Sequence, residues 1–339
     1  MALLAVAREL ARTGNVVTVM GSGPPRPDTP YAFKQVPSLR RERFERFPRI
    51  PPLRSDVAWE DATFALSLLR SYRPEDFDAV VTCSFPFTHW ALRRPARSKP
   101  AQIFVTQNGD WPATSESAEY RTFRCDGLIC TNPDFFERSR ARWNCALIPN
   151  GVSPGAFSPA PSDRARFGLP EGPPLILMVS ALIDSKRVIE GIHAVARVPG
   201  AHLVVAGDGA LRNRVSEEAN QHLPGRFTRL TVSAAEMPAL YNSADVFLHM
   251  SLLESFGNVF VEAMACGLPI VGHDTPRLRW IVGDREQLCD TESPDALHQA
   301  LERALSLEKG SPDDRVARFY WPQIAEQYHR FLSGIVGGC

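Results

Sequence analysis

The chain has 339 residues, of which 44% are hydrophobic and 22% are charged. This composition is typical of a folded globular protein of about two domains, and it excludes a disordered, collagenous or coiled-coil chain. Lysine and arginine together number 38, and so do aspartate and glutamate, so the formal net charge is zero. Because no overall field attracts polyanions, we expect no nucleic-acid partner.

The seven cysteines form no C-x-x-C pair, and their spacing matches no zinc or haem pattern. No run approaches the roughly 18 apolar residues that a membrane helix requires, and the first residues lack the features of a secretory signal. We therefore predict a cytoplasmic protein without a transmembrane segment. The arginine-rich residues 40–54 favour a solvated loop, with peripheral contact to a membrane surface as the alternative.

The predicted elements alternate between helices and short apolar strands. A helix over residues 3–12 ends at Gly14 and leads into a strand over residues 16–20. Further strands are predicted at residues 79–83, 102–106, 128–131, 146–148, 175–180, 203–206, 246–249 and 269–271, and a final amphipathic helix at 321–332. This alternation indicates α/β architecture, with parallel sheets covered by helices on both faces.

The strands fall into two series, which are divided near residues 151–174. We predict two doubly wound, Rossmann-like domains that face each other across a cleft. The first comprises residues 1–153, with a carboxyl-terminal helix over 320–335 packing back on it, and the second comprises residues 154–319. The opening helix and strand are typical of the second half of a β-α-β unit, so the first strand of the amino-terminal domain is expected to be missing.

The most informative stretch runs over residues 249–269. It leaves a predicted strand, passes Glu254 and Gly257, and enters a helix that carries Glu262. Free amides at the start of a helix bind anionic oxygens, and carboxylates on either side can bind hydroxyls, so the pattern favours a diphosphate flanked by two polyols. The alternative is that Glu254 caps the helix and Glu262 is solvated. Glu262 lies among apolar residues, however, where a carboxylate requires a partner.

This stretch resembles the retaining glycosyltransferases of family 4, which have the GT-B fold, because Glu254 and Glu262 fit the E-x7-E motif of that family. Three further segments are similar to family motifs: Asn150-Gly-Val with Phe157-Ser-Pro159 to the N-G-V-D-x3-F-x-P linker, Ala206-Gly-Asp-Gly209 to the G-x-G turn, and Tyr241-Asn-Ser-Ala-Asp245 to the Y-x-x-A-D segment. Each motif alone is a weak signal, but together their spacing is specific.

The resemblance implies a metal-independent hexosyltransferase of carbohydrate biosynthesis that needs no cofactor. Its partners would be a nucleoside diphosphate sugar and a hydroxyl acceptor (a saccharide, lipid or natural product), and the anomeric configuration would be retained. By the same resemblance Glu262 holds the donor ribose, and Glu254 contacts the transferred sugar. The backbone amides expected to hold the sugar or its phosphate are those of Phe256, Gly257, Asn258 and Val259.

Lys186 is the cation expected to neutralise the departing diphosphate, which makes Lys186 and Glu254 the predicted catalytic residues. The family typically has an arginine five positions before this lysine, and this chain has Ala181 there. Arg187 is a predicted donor-binding residue and the candidate that compensates for the missing arginine, with a charge from elsewhere in the chain as the alternative.

In the first domain, Asn108 and Asp110 follow a predicted strand and are candidates for binding acceptor or sugar hydroxyls, with a simple turn as the alternative. Two other functions stay open. One is a catalytically silent or truncated nucleotide-sugar-binding protein, and the other is a sugar-nucleotide epimerase or phosphorylase on the same fold.

Overall fold

The computed structural model describes residues 2–83, 85–94, 98–106, 111–283, 287–310 and 314–338. The chain divides into two compact units, Met1–Asn150 together with Trp321–Cys339, and Gly151–Tyr320. None of the helices in these described ranges is both long enough and apolar enough to cross a membrane.

Twelve strands and thirteen helices are described. The strands are β1 (Thr18–Gly21), β2 (Ala32–Gln35), β3 (Ala79–Cys83), β4 (Ala101–Thr106), β5 (Gly127–Cys130), β6 (Cys145–Leu147), β7 (Leu175–Val179), β8 (His202–Ala206), β9 (Phe227–Leu230), β10 (Val246–His249), β11 (Ile270–His273) and β12 (Gln287–Cys289). The helices are α1 (Ala2–Arg12), α2 (Asp56–Leu68), α3 (Pro86–Ala91), α4 (Trp111–Thr114), α5 (Pro133–Ser139), α6 (Val188–Ala196), α7 (Arg212–His222), α8 (Met237–Ser243), α9 (Asn258–Ala265), α10 (Pro276–Val282), α11 (Pro294–Leu305), α12 (Asp314–Ala317) and α13 (Trp321–Val336).

The first unit contains two parallel sheets, the pair β1-β2 and the four-stranded sheet β3-β4-β5-β6. Helices α1 and α13 pack against the larger sheet, where Leu10 and Tyr328 are buried with Ile103 of β4. Three apolar residues per two turns give each of these helices one face for this contact. The carboxyl-terminal helix therefore belongs structurally to the first unit.

The prediction for the first strand differs from the structure, because the strand begins at Thr18 and Val16 is fully exposed. The preceding helix causes this shift. Gly14 has a positive φ of 92°, and the amides of Gly14 and Asn15 bond back to the last turn of α1. These residues complete the end of the helix, so sheet pairing starts later.

The second unit is a single parallel sheet with the order β12-β11-β10-β7-β8-β9. Chain order runs outward from β7 on one side and outward from β10 on the other, so the direction of winding reverses between these two central strands. In doubly wound sheets such a switch point opens a crevice at the carboxyl ends of the strands. The loops that follow β7 and β10 are therefore placed side by side.

Alternate side chains of β7 enter two different cores. Leu175 and Leu177 pack on the face covered by α9, whereas Ile176 and Met178 pack on the face covered by α6 and α7. All four are essentially inaccessible to solvent. Burial of each such apolar side chain contributes about 1.5–3 kcal/mol to the stability of the fold. Burial on both faces therefore holds β7 firmly in the sheet and fixes the start of the loop that follows it.

Every strand predicted from the apolar runs is present, and its observed ends differ from the predicted ones by at most two residues. Strands β2, β9 and β12 were not predicted. Their sequences Ala-Phe-Lys-Gln, Phe-Thr-Arg-Leu and Gln-Leu-Cys lack a continuous apolar run. All three lie at sheet edges, as do β1, β3 and β6, which were predicted because their segments are more apolar.

Candidate functional site

Two loops meet at the switch point of the second unit. Strands β7 and β10 pair directly, with Val246 opposite Ile176. The loop after β7 carries Lys186, and the loop after β10 carries Glu254. The ammonium of Lys186 donates a hydrogen bond to the carboxylate of Glu254, so the fold joins two predicted residues that are 68 positions apart.

The Glu254 carboxylate is a partly buried anion with two partners. Besides Lys186, it lies 3.1 Å from Nε2 of His249. Burial by itself raises the pKa of Glu254, but the hydrogen bonds and charges of His249 and Lys186 outweigh burial and lower that pKa to about 2. Glu254 is therefore a fixed negative charge at neutral pH and is not a general acid.

His249 is a site residue for which the sequence analysis proposed no role. It ends β10, is 4% exposed, and packs its ring against Phe260 at 4.6 Å between centroids. Its Nδ1 has no hydrogen-bond partner within the described ranges. The signal that could have found it is its position at the carboxyl end of a buried strand, five residues before Glu254.

Gly257 turns the chain into α9 with a φ of 84°, and a Cβ at this position would lie 2.6 Å from the ring of Phe260. Glycine is therefore required here by both conformation and space. Because glycine has no side chain, it cannot cap the helix as Thr275 caps α10 and Ser293 caps α11. The first turn of α9, which includes Asn258 and Val259, thus begins without a side-chain cap.

The side chain of Phe256 belongs to the core rather than to a polar site. It is 3% exposed and contacts the rings of Trp280 and Phe319. This packing anchors the loop between Glu254 and α9. Only the backbone of Phe256 is suited to the predicted role in donor binding.

Glu262 lies in α9 with its carboxylate largely shielded from water. The hydroxyl of Tyr241 donates to its Oε2 at 2.9 Å. Burial raises the pKa of Glu262 to about 7, although the hydrogen bond from Tyr241 opposes this rise. The partner that the apolar surroundings of Glu262 require is therefore Tyr241.

Two sequence motifs cooperate to place this pair. Tyr241 is fully buried and contacts the ring of Phe157, with 6.0 Å between centroids. Its neighbour Asn242 donates to the carbonyl of Ser158 at 3.0 Å. The linker motif and the Y-x-x-A-D segment thus pack together behind Glu262 and fix its orientation.

The G-x-G turn supports the loop that leads to Lys186. A Cβ at Gly207 would clash with the backbone carbonyl of Ser180, and one at Gly209 would lie 2.5 Å from that of Leu182. Backbone hydrogen bonds of 3.0 Å join the amides of Ser180 and Leu182 to this turn. The two glycines are needed because one backbone runs directly against another.

Arg187 is held in the left-handed region at a φ of 51°. Its guanidinium donates to the hydroxyl of Thr291 at 3.2 Å and to the carbonyl of Met250 at 3.4 Å. These bonds tie the loop after β7 to the segments that follow β10 and β12. Any role of Arg187 in donor binding stays a prediction, as does compensation for Ala181.

A pocket opens beside Glu254 and is lined by Phe260, His273 and Arg277, among others. The guanidinium of Arg277 donates to the backbone carbonyl of Glu254. Sequence reasoning missed Arg277 because it lies on α10, outside the recognised motifs. It places a second cation close to the predicted sugar-contacting residue.

Family profiles match both units. The profile described as Glycosyltransferase Family 4 matches residues 2–155, and the one described as Glycosyl transferases group 1 matches residues 160–318, including Glu254 and Glu262. Together they span nearly the whole chain. This chain belongs to glycosyltransferase family 4.

Two curated relatives show how far the similarity of this family 4 glycosyltransferase extends. It is 25% identical over 239 residues to the lipopolysaccharide core biosynthesis glycosyltransferase LpsE of Rhizobium meliloti, covering 68% of this chain and 69% of that protein. It is 27% identical over 178 residues to the alpha-monoglucosyldiacylglycerol synthase of Streptococcus pneumoniae, covering 47% and 40%. The match thus spans about two thirds of the first relative and less than half of the second.

Solved structures establish the GT-B fold of this family 4 glycosyltransferase. A sucrose-phosphate synthase from Thermosynechococcus elongatus has a TM-score of 0.77 at 21% identity, covering 98% of this chain and 92% of that one. Anabaena HepE in complex with UDP and glucose has a TM-score of 0.71 at 15% identity, covering 98% and 95%. The predicted acceptor-side residues Asn108 and Asp110 lie outside the described residues.

Proposed function

We propose that this chain transfers a hexose-like sugar from a nucleoside diphosphate sugar to a hydroxyl acceptor, with retention of the anomeric configuration. The observation that carries the proposal is the assembly around α9. Lys186 and Glu254 meet before its first turn, and Glu262 is held within the helix by Tyr241. Family membership and the fold shared with HepE, whose structure contains UDP and glucose, support it further.

The two carboxylates take different parts in holding the donor. Glu262 accepts hydrogen bonds from the ribose hydroxyls of the nucleotide, and Glu254 accepts those from the transferred sugar. The amides at the start of α9 bind oxygens between them, where the helix dipole favours negative charge. Such an arrangement recognises the ribose, the diphosphate and the sugar together.

Lys186 stabilises the leaving group. When the bond between the anomeric carbon and the diphosphate oxygen breaks, negative charge develops on the diphosphate, and a positioned ammonium lowers the cost of that charge. The same ammonium is paired with Glu254 in the structure. In this proposal, contact with the phosphate competes with that ion pair, while Arg277 holds the backbone carbonyl of Glu254.

Retention follows if the acceptor attacks from the face that the diphosphate leaves. The departing phosphate oxygen takes the proton of the acceptor hydroxyl, and the acceptor oxygen forms the new bond to the anomeric carbon. Glu254 keeps its charge throughout, in agreement with its pKa of about 2. The proposed chemistry requires neither a metal ion nor an organic cofactor.

Release of nucleoside diphosphate with water as the acceptor tests this proposal before the natural acceptor is known. A panel of UDP- and GDP-linked hexoses is incubated with the wild-type chain, Lys186→Ala and Lys99→Ala. Lys99 is the matched control, because it forms an exposed pair with Asp78 at 3.0 Å on the first unit. We expect Lys186→Ala to lower kcat about 10²–10³-fold and Lys99→Ala to leave it unchanged.

The competing functions give different results in the same assay. A silent binding protein releases no nucleotide from any donor, and an epimerase alters the sugar without releasing nucleotide. A phosphorylase releases it only when inorganic phosphate is added. Equal rates for the wild-type chain and Lys186→Ala would contradict the proposed role of the lysine.

A further inference from the structure

We propose that His193, Glu218 and His222 form a zinc-binding site on the surface of the second unit. His193 lies on α6, and the other two residues lie on α7. Glu218 and His222 are four positions apart, so their side chains share one face of the helix, one turn from each other. The contact between α6 and α7 brings His193 to the same place.

The distances among the three side chains resemble those of a zinc site. Nε2 of His193 lies 3.0 Å from Oε2 of Glu218, and Nε2 of His222 lies 3.6 Å from the same oxygen. All three ligand atoms lie within 4.8 Å of one another. A tetrahedral ion with bonds of about 2.0–2.1 Å places its ligands about 3.3 Å apart, so only small movements are needed.

The chemistry of the ligands favours zinc over the hard cations. Two imidazoles and one carboxylate are a common zinc set, whereas calcium and magnesium prefer oxygen ligands alone. The side chains of His193, Glu218 and His222 are 47%, 26% and 37% exposed, respectively. An ion can reach them from solvent, and water can complete the fourth position.

The two helices that carry the ligands are held firmly. Ile192 and Val195 of α6 are buried in the same apolar cluster as Val215 and Ala219 of α7. Each ligand residue is therefore next to, or within one turn of, a packed residue on its own helix. The three ligands do not depend on a flexible loop for their positions.

A simple surface ion pair is the competing explanation, and α11 provides the comparison. His298 and Glu302 are also four positions apart, with 3.4 Å between Nε2 and Oε1. Among the residues that the structure describes, the triad of α6 and α7 is the one group of three or more possible ligands that converges in this way. The pair of Glu218 and His222 resembles the pair on α11, and it is the third ligand, His193, that makes a zinc site possible.

Zinc at this position would join α6 to α7. Helix α6 starts at Val188, directly after the loop that carries Lys186. The ion is thus a structural clamp on the helix that follows a predicted catalytic residue, and it takes no part in sugar transfer. Because zinc binds the folded chain, it raises the temperature of unfolding by an amount that grows with the logarithm of the ratio of zinc concentration to Kd.

Calorimetric titration of metal-free protein with ZnCl2 tests the proposal. We expect one zinc ion per wild-type chain and a loss of affinity of more than about 100-fold in each of His193→Ala, Glu218→Gln and His222→Ala, since losing a residue that only orients a ligand already costs about 10–100-fold. His298→Ala is the matched control and should bind zinc like the wild-type chain. At the same zinc concentration, the unfolding temperature of the wild-type chain and of His298→Ala should also rise more than that of the three site variants.

The seven cysteines and the other histidines are the alternative places for zinc. Titration with Co2+ distinguishes a cysteine site from the proposed site, because thiolate ligands give intense charge-transfer bands and nitrogen and oxygen ligands do not. The variants of the three proposed ligands distinguish that site from the other histidines. The proposal is overturned if the wild-type chain binds no zinc, if cobalt is bound through thiolate, or if His193→Ala binds zinc as tightly as the wild-type chain. Circular dichroism in EDTA confirms that the variants are folded.

Discussion

The two glutamates of the E-x7-E motif occupy opposite electrostatic environments although both are partly buried. Glu254 has two neighbours that can carry positive charge, and its pKa falls to about 2. Glu262 has only the neutral hydroxyl of Tyr241 as a hydrogen-bond partner among the described residues, so burial dominates and its pKa rises to about 7. The carboxylate of Glu254 is therefore charged throughout the neutral pH range, whereas that of Glu262 gains or loses its proton near pH 7.

We predict that donor affinity rises with pH as Glu262 ionises, because only the carboxylate accepts hydrogen bonds from both ribose hydroxyls with full charge. The measurement is the Kd of a nucleotide sugar between pH 6 and 8. A nucleotide sugar is preferred to a free diphosphate because it has no terminal phosphate that ionises in this range. Glu262→Gln should bind more weakly and show no such rise.

Tyr241→Phe gives the second arm of this test. The hydroxyl of Tyr241 lowers the pKa of Glu262, so its removal should move the midpoint of the affinity rise to higher pH. Tyr72→Phe is the matched control, since Tyr72 is on the first unit and its buried hydroxyl has no partner within the described ranges. A pH dependence that is the same in Glu262→Gln and in the wild-type chain would refute the assignment.

The sequence predicted Glu254 and Glu262 because their spacing is local and motif-like, and it predicted Lys186 because this residue follows the end of a predicted strand. It also predicted that Glu262 needs a partner. It could not name Tyr241 or assign a role to His249, because those contacts are made only after the sheet has formed. Arg277 was missed for the same reason, since it lies on α10 and reaches the loop that carries Glu254 only in the folded chain.

Among the secondary-structure elements, the loop after β7 is the one that most directly supports the site. The backbone of the G-x-G turn packs directly against this loop, and Arg187 ties the loop to Thr291 through a hydrogen bond. In the described part of the chain, neither support forms a hydrogen bond or ion pair with the side chain of Glu254 or Glu262. The position of Lys186 is therefore determined by backbone packing that the sequence indicates only through its glycines.

Gly207→Ala should displace this loop. The added methyl group would meet the carbonyl of Ser180, which is backbone and cannot rotate away. We expect a loss of about 1–3 kcal/mol in the free energy of unfolding, together with a lower rate of nucleotide release from the donor.

Gly155→Ala is the control, because a Cβ there meets nothing within 4 Å in the described part of the chain. It should change the stability by less than about 0.5 kcal/mol. Urea denaturation and the donor assay measure both effects. A Gly207→Ala variant as stable and as active as Gly155→Ala would show that the turn does not position the loop.

The predictability of each strand follows from how apolar its sequence is. Central strands such as β7 and β10 are buried on both faces and appear in the sequence as continuous apolar runs. The edge strands β3 and β6 keep such a run and were predicted, whereas the edge strands β9 and β12 carry polar residues and resemble loops. Local sequence thus indicates the central strands, and it indicates an edge strand only where the apolar run is kept.

In the whole molecule, the proposed donor site depends on the order in which the strands of the second unit are arranged. The reversal between β7 and β10 brings together Lys186 and Glu254, which no local pattern connects. The sequence predicted two parallel-sheet domains that face each other across a cleft, because alternation of strands and helices implies parallel sheets and ligands bind beyond the carboxyl ends of their strands. The strand order itself arises from long-range pairing.

Selective nucleotide binding is the most direct test of the proposed donor site. The wild-type chain and Glu262→Gln are titrated calorimetrically with UDP, GDP, ADP and dTDP under the same conditions. We expect one nucleotide to bind in preference to the others, with affinity at least about tenfold lower in the variant, which corresponds to about 1.4 kcal/mol. No binding of any nucleotide, or equal binding by both proteins, would contradict the assignment of Glu262 and of the donor site around α9.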